Sequence, residues 1–139
     1  MRIRFVDTDA SGRIHYTAML RHFEAAEVEF LRSLGFHYTD IHTSGVGFPR
    51  VHVECDYTGG LRNDDPMEIA VVVERVGNSS YTLGFQTTVR GEPAAHGKIV
   101  IVCIDGSTQR PRPLPEDLAL VLRENALREN VLRENREAK

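Results

Sequence analysis

Tryptophan is absent from this chain of 139 residues, and cysteine occurs only twice, at Cys55 and Cys103. Neither cysteine lies in a paired spacing that would hold a metal or run redox chemistry. Both sit in strand-like apolar patterns and read as buried, reduced thiols. Long apolar runs are also missing. The longest, Ile99 to Ile104, falls far short of the roughly 20 residues that a membrane-crossing helix needs. No charged-then-apolar leader opens the chain, so a cytoplasmic location is expected. Basic charge is not in excess, since 17 Lys and Arg against 20 Asp and Glu leave a net charge of −3. Nucleic-acid binding, which draws on a basic face, is not expected. There is no Gly-x-Ser-x-Gly elbow, no common glycine-rich phosphate loop, and no histidine spacing suited to zinc. Metal catalysis and serine hydrolase chemistry are therefore not expected.

What the chain does have is a balance of 41% apolar and 27% charged residues, which suits one globular core. Residues 2–6 read as a short strand that leads into the turn Asp7-Thr8-Asp9-Ala10-Ser11-Gly12. From about residue 17 to Leu34, Leu20, Phe23, Ala26, Phe30, Leu31 and Leu34 recur at helical steps before the stop at Gly35. Glu27 falls inside that apolar arc, where a carboxylate needs a partner. Residues 36–49 read as loop. Val51, Val53, Cys55 and Tyr57 then alternate with polar residues, as in a strand with one buried face. Three more strands follow, at 67–76, 81–89 and 94–104, joined by turns at Gly77-Asn78-Ser79-Ser80 and Gly91-Glu92-Pro93. Four strands joined in series imply an antiparallel sheet, and the one long helix buries its face against it. After three prolines at 111, 113 and 115 a second helix starts near Glu116, carrying Leu-Arg-Glu-Asn at 122–125, 127–130 and 132–135. Five residues turn a helix by about 500°, so these leucines spread around the axis and form no seam. The segment reads as a solvated helical extension or, alternatively, a partner-binding helix.

Asp7 and Asp9 are the first candidates for chemistry. Aspartates are common in turns, where they accept backbone hydrogen bonds, and that reading stands beside a functional one. Their position ahead of the long helix matters because free N–H groups at a helix start can hold a developing oxyanion next to a base or nucleophile. His15 and Tyr16 fall at that start, and their backbone N–H groups can polarise a carbonyl. The His15 imidazole is a general acid or base, or an ordinary surface group. Phosphates of any ligand have scattered basic groups to meet, namely Arg62, Lys98, Arg110 and Arg112. The prolines beside Arg110 and Arg112 stiffen their backbone.

The series Phe5-Val6-Asp7-Thr8-Asp9-Ala10-Ser11-Gly12-Arg13-Ile14-His15-Tyr16, then Phe23-Glu24 and Glu29-Phe30-Leu31-Arg32, resembles the opening of the hotdog-fold thioesterases related to 4-hydroxybenzoyl-CoA thioesterase. It most resembles the bacterial acyl-CoA thioesterases associated with the Tol–Pal system. The likeness continues through Asp56-Tyr57, Asn63-Asp64-Asp65, Met67-Glu68-Ile69, Gly77-Asn78-Ser79-Ser80, Val102-Cys103-Ile104-Asp105 and Pro111-Arg112-Pro113-Leu114-Pro115. It implies an α+β hotdog domain over 1–116, a curved antiparallel sheet wrapped around one long central helix, with a C-terminal helical tail at 117–139. It implies hydrolysis of acyl-CoA thioesters, with Asp9 as nucleophile or general base and the Tyr16 backbone N–H on the thioester oxygen. No cofactor is implied, because CoA enters as part of the substrate. His15, at the same helix start, is a further catalytic candidate, and Ser80, Arg110 and Arg112 are the substrate-binding candidates. The resemblance also implies a homodimer with the site at its interface, and tetramers of such dimers. Two positions depart from the subgroup: His15 and Tyr16 are exchanged relative to its usual order, and Glu27 stands where arginine is common. A non-catalytic acyl-CoA or acyl-carrier-protein binding module is the alternative, and a tail that recruits a partner is a third reading.

Overall fold

The structure, a computed structural model, describes residues 1–37 and 45–137, with side chains described as far as residue 130. Segment 38–44 of the expected loop lies outside the described residues. Helix α1 spans Ala18–Ser33, close to the expected 17–34, and Gly35 ends it at a φ of +93° that favours glycine. Met19, Phe23, Glu27 and Leu31, each four residues after the last, form its buried stripe. Burying an apolar side chain the size of Phe23 or Leu31 contributes about 1.5–3 kcal/mol.

The strands are β1 Val46–Gly47, β2 Arg50–Tyr57, β3 Met67–Val76, β4 Ser80–Val89, β5 Glu92–Val102 and β6 Ile104–Asp105. A four-stranded antiparallel sheet runs in the order β2-β5-β4-β3, and β1 pairs with β6 separately. Strands β3, β4 and β5 form the expected meander. β2 pairs with β5 rather than with its successor β3, so the connection after Tyr57 crosses to the opposite edge of the sheet. Cys55, Gly97, Phe85 and Val71 are aligned across the four strands on the face that meets α1. There the rings of Phe23 and Phe85 stack with centroids 4.6 Å apart. Gly97 permits this approach, because a Cβ would overlap the Glu54 carbonyl oxygen and come within 2.7 Å of Phe23.

Three expectations are corrected. Residues 2–6 form no strand: Arg2 makes an isolated bridge to Pro66, and Phe5–Asp7 is a 3-10 turn closed by the Asp7 carboxylate, which accepts the Arg4 N–H at 2.9 Å. The alternating apolar face of β2 is largely open, with Val51 60% and Val53 and Tyr57 each 41% exposed, because β2 is an edge strand. The last helix, α2, spans Glu116–Glu137, and its start is not solvated. Leu118, Ala119 and Leu122 are buried, and the helix packs against β3, whereas Leu127 is exposed. Among the described residues, no helix is long and apolar enough to cross a membrane.

Candidate active site

The turn between the first 3-10 segment and α1 places its two aspartates in opposite surroundings. Asp7 is 1% exposed, and one carboxylate oxygen meets both the Arg4 N–H and His22 Nε2, the latter at 3.1 Å. Burial pushes its pKa up, but the Arg4 N–H and His22 outweigh that effect and hold it below the ordinary value. Its main-chain carbonyl accepts the His15 N–H at 2.7 Å, which ties the turn to the start of α1. The side chain of Asp9 is exposed. Its Oδ1 accepts the Ser11 hydroxyl at 2.5 Å and the Ser11 N–H at 2.8 Å, and Oδ2 has no hydrogen-bond partner among the described residues. The Ser11 hydroxyl first, then the Ser11 N–H, lower the Asp9 pKa, with a smaller contribution from the charge of His15. Gly12, at a φ of +82°, closes the turn by donating its N–H to the Asp9 carbonyl at 3.0 Å.

Thr17 precedes α1 without capping it through its side chain, because its hydroxyl meets His15 Nδ1 at 2.8 Å. The His15 ring also stacks on Tyr16 at 4.6 Å. Tyr16 N–H donates to nothing among the described residues. Its carbonyl accepts the Tyr57 hydroxyl, which joins the end of β2 to the helix start. Burial raises the Tyr57 pKa, so its hydroxyl stays a donor at neutral pH.

Beside Tyr16 opens a hollow of about 480 Å³ whose walls include Arg13, Tyr16, Tyr57, Gly59, Gly60 and Arg62. The fold thus brings Asp9, His15 and Tyr16 together at one end of α1. Ser80, Arg110 and Arg112 do not line this hollow. Cys103 accepts the Arg112 N–H and donates to Ser79, so the 79–80 turn and the 110–112 segment gather at a different place. Arg13 has no mark of a binding role in the sequence, because a single basic residue in a turn carries no periodic signal. Glu27, expected to need a partner, has Arg50 of β2 within the same chain. Burial pushes its pKa up, an effect that Arg50 only partly offsets.

An antiparallel sheet with the long helix packed on it and a C-terminal helix make an α+β hotdog fold. The chain belongs to the thioesterase-like superfamily, whose family profile matches residues 3–122. It is 31% identical over 133 residues to the 1,4-dihydroxy-2-naphthoyl-CoA hydrolase of Prochlorococcus marinus (strain NATL1A), covering 90% of this chain and 89% of that one. The hydrolase of the same name from Nostoc punctiforme is 27% identical over 124 residues, covering 88% and 84%. Among solved structures, a gentisyl-coenzyme A thioesterase matches with a TM-score of 0.80 at 24% identity, over 88% of this chain and 96% of that one, and shares its fold.

Proposed function

We propose that this protein hydrolyses the thioester of an acyl-CoA to the free acid and CoA. Asp9, or a water that it deprotonates, attacks the carbonyl carbon, and the Tyr16 backbone N–H takes the developing oxyanion. Water supplies the oxygen that completes the acid, and the departing sulfur leaves with a proton. The observation that carries this reading is the Asp9 turn. One carboxylate oxygen is locked by Ser11 and the other is unengaged among the described residues, a few residues before an N–H at the start of α1 that is equally unengaged. The lowered pKa of Asp9 supports an ionised, working carboxylate at neutral pH.

Relatives named for 1,4-dihydroxy-2-naphthoyl-CoA and gentisyl-CoA both act on hydroxyaryl acyl groups, and we extend that class to this chain. The Tol–Pal-associated subgroup ranks behind it, since the named relatives are hydroxyaryl-CoA enzymes. A second copy of the chain belongs to the proposal as well. β2 is an edge strand with exposed Val51, Val53 and Tyr57, and a sheet joined edge to edge with another copy would cover them.

The test is release of free thiol from hydroxyaryl, short-chain and long-chain acyl-CoA substrates. Asp9→Asn and Asp9→Ala are expected to lower kcat by about 10²–10⁴-fold while the protein stays folded. A folded Asp9→Asn protein that keeps turnover within about threefold overturns the assignment of Asp9. Saturable binding of acyl-CoA with no thiol released across the panel overturns hydrolysis itself.

A further inference from the structure

Arg13 and Arg62 stand directly opposite each other in an isolated antiparallel bridge, and both line the hollow beside Tyr16. Like charges directly across a strand pair repel and destabilise it. Neither guanidinium takes part in an ion pair among the described residues. The Arg62 charge acts on Asp65 at a distance, and the two oxygens of that carboxylate are already engaged, one by the Arg62 N–H at 2.9 Å and the other by the Arg90 guanidinium at 3.2 Å. Both arginine residues are exposed, and Arg13 is also bonded into the catalytic turn, its carbonyl accepting the Asp9 N–H at 2.9 Å. Two guanidinium groups that form no ion pair among the described residues, at the wall of one hollow, favour an anion between them, and phosphate suits their planar forks.

We propose that Arg13 and Arg62 form a phosphate clamp for the substrate's thiol carrier, a phosphorylated pantetheine. This rests on the hydrolase reading above, in which the thioester carbonyl meets Tyr16 N–H on the same hollow's wall and its carrier arm continues toward the arginines. The chemistry is shared by two sources, coenzyme A and the phosphopantetheine arm of an acyl carrier protein. The clamp replaces Arg110 and Arg112 as the site of phosphate recognition, since those side chains lie away from the hollow.

Calorimetric binding of CoA and of pantetheine, which has no phosphate, tests the clamp without requiring turnover. The Arg13→Gln/Arg62→Gln protein is expected to bind CoA about tenfold or more weakly, with a flatter salt dependence, and to bind pantetheine as the parent does. Arg13→Lys/Arg62→Lys, which keeps the charge, is expected to recover part of the loss. Equal weakening of CoA and pantetheine, no weakening of CoA, or a comparable loss in Arg110→Gln/Arg112→Gln overturns the clamp. In the kinetic arm, the glutamine pair raises KM for acyl-CoA, for acyl-carrier protein, or for both, which identifies the source; a rise for neither overturns the proposal. A parent protein that binds CoA through the clamp but releases no thiol overturns the hydrolase reading alone. A glutamine pair that hydrolyses both acyl-CoA and acyl-carrier protein with unchanged KM overturns the clamp alone.

Discussion

Replacing Arg50 with methionine strands a carboxylate in the core, and the cost follows from the geometry. Glu27 is 1% exposed on the sheet-facing stripe of α1, its Oε1 accepts from the Arg50 guanidinium, and Oε2 has no hydrogen-bond partner among the described residues. Removing one partner of a buried pair costs about 3–5 kcal/mol. The carboxyl can escape by taking up a proton. From its ordinary pKa of 4.5 to pH 7, at about 1.4 kcal/mol per pH unit, that route caps the penalty near 3.5 kcal/mol. Part of that penalty is already borne by the parent, whose Glu27 pKa is itself raised, so Arg50→Met is expected to lose about 2 kcal/mol at neutral pH, or about 7 °C in Tm. The double change Glu27→Leu/Arg50→Met leaves no stranded charge and is expected within about 1 kcal/mol of the parent. The pH dependence has a definite sign, because the folded pKa of Glu27 is raised. Its contribution is fully present below the unfolded value of 4.5 and is lost as pH rises through the folded value, so the ionised carboxylate costs stability at neutral pH. Glu27→Gln, a neutral isostere, should match the parent near pH 4 and equal or exceed it near pH 7. Urea unfolding at both pH values measures all of these proteins. An Arg50→Met protein within about 1 kcal/mol of the parent refutes the reasoning, as does a Glu27→Gln protein that loses more at neutral than at acid pH.

Ser11→Ala removes the largest influence that lowers the Asp9 pKa, so with Asp9 in its proposed role the acid limb of kcat/KM should move to higher pH with the neutral plateau kept; a pH–rate profile with an unmoved limb contradicts the role of Ser11. Gly97→Ala drives a methyl into the Glu54 carbonyl and the Phe23 ring, and thermal unfolding should show a loss of about 3 kcal/mol. His22→Leu leaves the buried Asp7 carboxylate with the Arg4 N–H and with Arg21 at 3.7 Å, costing about 1–3 kcal/mol. The lowered pKa of Asp7 gives stability that is present above 3.8 and lost as pH falls through the folded value, so the acid-unfolding midpoint of His22→Leu should move to higher pH.

Local periodicity made much of the fold legible. The helical spacing from Leu20 to Leu34, the stop at Gly35 and the turns at 77–80 and 91–93 fix α1 and the β3-β4-β5 meander to within a few residues. Long-range pairing left no such mark. β2 joins the free edge of β5 although the outer edge of β3 is also unpaired, a choice made by the sheet as a whole. Val51 and Val53 alternate as core residues do, yet they stay exposed among the described residues. The need of Glu27 for a partner was readable from its place on the helical wheel, but nothing in the sequence around Arg50 marked it as that partner. Arg110 and Arg112 drew notice because prolines stiffen them, whereas Arg13 gains significance only when the fold sets Arg62 opposite it.

The two aspartates show why a motif can be legible while the division of labour within it is not. Asp7 and Asp9 are two residues apart and chemically alike, and either could be read as a turn former or as a base. The fold separates them by burial: Asp7 is held inside by Arg4 and His22, and its carbonyl grips the His15 N–H, whereas Asp9 points outward with one oxygen fixed by Ser11. A carboxylate buried and satisfied on that oxygen by two donors is a poor base for an incoming substrate, but it is a good anchor. The anchor sets the position of the helix start relative to the turn, and therefore the distance between the free oxygen of Asp9 and the N–H of Tyr16. Placing a reactive group to within a fraction of an ångström requires rigid neighbours. With Asp9 in its proposed role, that rigidity comes in this chain from an identical side chain two residues earlier, turned into the core.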